Sequence, residues 1–169
     1  MSYVPKIVSL SLPFGIGSVQ WEVDRTQSRA AWSLYVELVT RIAVEPLKAD
    51  EGLVREALNS LYSLFGTTRE ILKAAGPDVG ASKNSVGGIA IAVLNNGLRP
   101  FLAKWHPLLQ VHEAQRPPHL SPKEHEQQWS EEGKLRDELE KLRQDLKQYA
   151  NALAVIAGVE ESLEESDGW

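Results

Sequence analysis

The chain has 169 residues, a hydrophobic content of 43% and a net charge of −5, enough for one domain that buries about 70% of its unfolded surface. No Lys/Arg cluster marks a basic face, which argues against an extended duplex-DNA surface. The absence of cysteine excludes disulfides, thiolate catalysis and Cys–zinc sites, and is compatible with a reducing compartment.

Residues 4–24 alternate. Val8, Leu10 and Leu12 point one way and Ser9 and Ser11 the other. Val19, Trp21 and Val23 then alternate with Ser18, Gln20 and Glu22. Two period-2 runs around PFGIG predict a β-hairpin with one buried face. Two strands alone are marginal, so the hairpin must lie on helices.

From Thr26 to Val44 the period becomes helical, through Ala31, Trp32, Leu34, Tyr35, Leu38, Val39 and Ile42. Pro46 is read as the stop. Asp50 is the expected N-cap of a second helix, whose stripe holds Leu53, Ala57, Leu58, Leu61, Leu64 and Phe65 and which ends at Gly76–Pro77. A third helix is expected from about Ser82, with Gly87 and Gly88 admitting a close backbone and a bend near Arg99–Pro100. A buried strand through Ile89–Leu94 is the alternative.

Residues 107–121 are rich in proline and read as a linker between a core (1–106, the hairpin plus three helices) and a long amphipathic helix (122–158). An acidic tail (159–169) follows. Ser121, Pro122 and Glu124 form a capping box at the start of the long helix. Within it Leu135, Leu139, Leu142, Leu146, Tyr149, Leu153 and Ile156 are spaced alternately by four and three, a heptad seam closed by Gly158. The expected fold is mostly α: a four-helix-bundle-like domain with an N-terminal β-hairpin and this long heptad-patterned helix. The seam packs either on the chain's own core or on a partner or second copy. The N-terminus makes a poor signal peptide. The longest apolar run, 86–94, is about half of the roughly 20 residues that span a bilayer. A cytoplasmic protein without membrane contact is expected.

For chemistry, Arg99 and His106 come first. Seven helical residues turn through about 700°, which places both side chains on one face about 10 Å apart. This Arg-x6-His spacing resembles the active-site motif of HEPN-family ribonucleases, which are helical bundles. The resemblance covers these two residues and the bundle class, and Pro100 stands where the family usually has a polar residue. It implies a metal-independent ribonuclease, or an inactive relative of one, of a bacterial toxin–antitoxin or antiviral system, with RNA as substrate. Arg99 would stabilise phosphate charge and His106 would act as acid or base. The other reading sets Leu98, Phe101, Leu102 and Trp105 in the core, with Arg99, Lys104 and His106 on its rim. His106, His112, His119 and His125 lack metal-ligand spacing and read as solvated linker histidines. No cofactor or metal is expected. The favoured function is a non-catalytic interaction or adaptor module for a protein partner or homo-oligomer, acting through the heptad seam, the linker and the tail.

Overall fold

The computed structural model describes residues 6–159. The start of the expected hairpin (4–5) and the acidic stretch 160–169 lie outside the described residues. The protein is mostly helical, with a two-stranded antiparallel hairpin at its N-terminal end.

The alternating runs form β1 (Lys6–Leu12) and β2 (Gly17–Val23), with Val8 opposite Trp21 and Leu10 opposite Val19. Val8, Leu12 and Val23 are buried and the intervening serines are exposed. The turn closes through Ile16 N–H to the Pro13 carbonyl at 3.2 Å. Phe14 (φ 60°) and Gly15 (φ 76°) take left-handed backbone there, which matches the twist of a two-residue hairpin loop. That conformation is unfavourable for phenylalanine. Its ring docks on Gly97, where a Cβ would lie 2.7 Å from it.

Helix α1 (Arg25–Val39) is capped by Asp24, whose side chain accepts the Gln27 N–H at 2.8 Å. It ends at Val39 and not at Val44. Thr40 leaves helical geometry (φ −97°, ψ 4°) with its hydroxyl bonded to the Val36 carbonyl. Buried Gln27 joins three elements: its Oε1 accepts from Trp21 Nε1 at 2.9 Å and from Val86 N–H at 3.3 Å.

Helix α2 (Val54–Ala75) starts after the expected Asp50, because Gly52 turns the chain at φ 63°. Leu53 occupies the cap position and has no oxygen to offer. The cap comes from Glu126, whose carboxylate accepts the Val54 and Arg55 N–H groups at 2.8 and 3.3 Å.

Helix α3 (Val86–Ala92) is capped by Ser85. The backbone continues through a π-helical segment, Val93–Leu98, into α4 (Arg99–Ala114), so the strand alternative does not occur. Gly87 and Gly88 admit neighbouring backbone as expected: Cβ atoms there would lie 2.7 Å from the Val79 carbonyl and 2.3 Å from that of Ser82. At the place of the expected bend, Arg99–Pro100, the helix passes through a π turn. Arg99 stays helical (φ −59°, ψ −49°), and its N–H bonds the Leu94 carbonyl five residues back. The wider turn accommodates Pro100, which has no N–H to donate. Val86–Ala114 is thus one 29-residue helix, long and apolar enough by length and composition to cross a bilayer, and 56% of its most apolar window is buried inside the protein.

Two boundaries in the C-terminal half differ from expectation. Residues 107–114 belong to α4, because a proline within a helix removes one hydrogen bond without ending it here. Only 115–121 connects. The segment 122–158 is two helices, α5 (Pro122–Gln127) and α6 (Glu132–Ala157). Between them Trp129 tucks its ring edge-on to Trp105 and over His112. Ser121 caps α5 as expected, accepting the Glu124 N–H. All seven seam residues of α6 are buried, from Leu135 and Leu146 at 0% to Leu142 at 6% exposure. The helix packs chiefly on α1 and β1.

Candidate functional site

Because α4 is regular from Arg99 onward, Arg99 and His106 share a face, and both line one open cleft of about 1020 Å³ between α2 and α4. Tyr62, Phe65 and Arg69 line it from α2, and Leu102 and Pro107 from α4. The seven-residue spacing therefore does bring the expected pair together.

Arg99 is held by Asn95, whose Oδ1 accepts from its Nε and Nη2 at 3.3 and 3.1 Å. Its guanidinium lies 5.2 Å from the centre of the Phe65 ring, and that of Arg69 lies 5.9 Å from the same point. The two cations are no more than about 11 Å apart. Among the described residues neither has a carboxylate partner. The carboxylates lining the cleft are already engaged, Glu37 with Arg41 at 2.9 Å and Glu70 with Lys73 at 3.9 Å. Two guanidiniums beside an aromatic ring suit an anion that carries apolar groups, with Glu37 and Glu70 on the same lining.

His106 is fixed differently. Its Nδ1 lies 2.9 Å from Arg55 Nη1. An arginine has only donors, so Nδ1 accepts and the ring proton sits on Nε2. His106 presents an N–H to the cleft and has its free lone pair already engaged. A general base needs that pair, and a second proton on the ring must displace Arg55. Arg55 is itself held by Glu113, 2.6 Å from its Nη2 and 2.9 and 3.1 Å from its Nε. Tyr62 stacks on His106 at 6.5 Å. Pro107 has no N–H, so the Ala103 carbonyl on the same wall lacks its usual helical donor.

The rest of the expected rim faces elsewhere. Lys104 pairs with Glu138 of α6 at 2.7 Å, and buried Trp105 donates its indole N–H to the same carboxylate. These bonds, that from Lys104 foremost, hold the Glu138 carboxyl below its ordinary value. The histidines are not all solvated linker residues. His112 and His125 stack at 3.8 Å, each donating Nε2–H to the other's carbonyl at 2.7 and 2.6 Å, and His125 is buried. His119 alone lies exposed in the connection. Among the described residues no three His, Cys, Asp or Glu side chains converge as metal ligands.

Sequence reasoning missed Arg55, Tyr62, Arg69 and Glu113. Tyr62, Phe65 and Arg69 stand at i, i+3 and i+7 on α2, a face legible beforehand. The Arg55–Glu113 pair spans 58 residues and carries no local signal. Compared with known proteins, the chain matches no family model, no curated protein and no solved structure.

Proposed function

We propose that the protein is a non-catalytic interaction module whose binding face is the α2–α4 cleft. The carrying observation is the pair of guanidiniums, Arg69 and Arg99, flanking Phe65 in an open cleft without carboxylate partners of their own. His106 adds an N–H donor and Ala103 an acceptor, which supports recognition of a protein segment in the cytoplasm, from another protein or a second copy. The seam of α6 serves the framework in this reading. Its leucines pack internally in a four-helix-bundle-like core, with the heptad spacing matching α6 to its neighbours.

The test is co-purification of native protein alongside Ala103→Trp, which fills the cleft from an exposed position, followed by reconstitution of any pair from purified components. A partner held by the wild type and released by Ala103→Trp supports the reading. A partner held equally by both removes it.

The convergence of Arg99 and His106 in one cleft favours a second reading, a HEPN-like ribonuclease in which RNA phosphate meets Arg99 and His106 handles the proton. The engagement of Nδ1 by Arg55 weighs against it. An RNA-cleavage or growth-arrest assay comparing the wild type with His106→Ala decides: activity abolished in the variant supports catalysis, and identical behaviour ends it.

A further inference from the structure

The charge of the chain is unevenly spread. Residues 160–169, EESLEESDGW, hold five carboxylates and no Lys or Arg, so they supply the whole net charge of −5 and leave the preceding 159 residues balanced. They also carry Leu163 and Trp169, apolar side chains suited to an aromatic cleft. The end of α6 lies against the start of α1, where Ser28 Oγ donates to the Ile156 carbonyl at 3.0 Å. Beside it a second groove runs between α1 and α2, lined by Thr26, Arg29, Glu70, Ile71 and Ala75. Glu70 and Ile71 also line the α2–α4 cleft, so the two grooves adjoin at these residues. From Ala75 back to Tyr62 is about 20 Å along a helix, and ten extended residues reach about 33 Å. Arg29, exposed at the near end of this path, has no carboxylate partner among the described residues.

We propose that residues 160–169 of the same chain occupy the α2–α4 cleft, their carboxylates meeting Arg69 and Arg99 and an apolar side chain resting on Phe65, so that the chain masks its own binding face. This rests on the cleft being the binding face. A tethered segment competes at an effective concentration in the millimolar range, so an external partner must displace it. Weak intrinsic affinity is enough for the mask.

The chain has no cysteine, so Ser166→Cys in the full-length protein gives one site for a nitroxide label. The expected result is selective broadening of the amide signals of Phe65, Arg69, Ala103 and His106, lost in Arg69→Glu/Arg99→Glu and reduced in high salt. Unbroadened cleft signals, or broadening that survives both charge reversals, overturn the proposal. Transfer of the broadening onto an unlabelled-tail partner in a mixed sample overturns the intramolecular claim. A synthetic peptide of the sequence EESLEESDGW, as the external partner, should bind a chain ending at residue 159 about tenfold more tightly than the full-length chain. If that truncation leaves affinity unchanged while Ala103→Trp still abolishes binding, the tail proposal fails and the interaction-module reading stands. If Ala103→Trp keeps the partner, that reading fails whatever the label shows.

Discussion

The chemistry of the cleft turns on where one proton sits. Arg55 donates to His106 Nδ1, which leaves Nε2–H facing the cleft. Nitrogen-detected NMR of imidazole-labelled protein should find Nε2 protonated and Nδ1 acceptor-like, and Arg55→Met should let the two tautomers mix. Nδ1 protonated in the wild type would remove the argument against base catalysis. At Gly97 the constraint is steric. A Cβ there meets the Phe14 ring at 2.7 Å, in a turn where Phe14 already has φ 60°. Gly97→Ala should lower the unfolding free energy by about 1–3 kcal/mol in chemical denaturation, because neither the buried helix backbone nor the pinned ring gives way freely.

The elements show how far local pattern reaches. The hairpin alternation, the helices expected from about Thr26 and Ser82 and the Gly76 and Gly158 stops follow from periodicity and capping chemistry, which act within a few residues, although the caps themselves are Asp24 and Ser85. Asp50 misled as a cap because the chain satisfies α2 from 72 residues away, through Glu126. No window contains that bond. The second error was to start the linker at Pro107, which lies inside α4 and leaves one carbonyl open, while at Pro100 a π turn absorbs the missing N–H. Arg99 and His106 were legible because they sit on one regular helix; the partners on α2 that define the cleft were not.

Glu126→Ala should cost about 1–2 kcal/mol by uncapping α2, measured by denaturation. Glu126 also carries a pH signature. Burial pushes its carboxyl above its ordinary value, outweighing the N–H bonds and Arg136 that favour the charge. Its contribution to stability is therefore full below the ordinary carboxyl value and lost as pH rises through the raised one. The stability of the wild type relative to Glu126→Gln should fall as pH climbs through that window. A relative rise would reverse the sign. Glu138 and Glu140, held low by Lys104 and Arg143, act oppositely and lose stability on acidification. On α6, Leu146→Ala should lower stability by about 2–5 kcal/mol without altering partner binding, because Leu146 is fully buried in the chain's own core.

At the scale of the molecule, the framework and the proposed binding face separate. α6, α1 and the hairpin bury the apolar stripes that make the fold, and Gln27 and Glu126 stitch elements distant in sequence. α2 and α4 leave an aromatic wall uncovered, with Arg69 and Arg99 beside it. The two roles can be separated by measuring partner affinity and unfolding midpoint together in Ala103→Trp and Leu146→Ala. Affinity should vanish with the midpoint unchanged in the first, and the midpoint should fall with affinity kept under folded conditions in the second. Full affinity in Ala103→Trp, or binding lost in a folded Leu146→Ala, would contradict the assignment of the cleft as the face this protein uses.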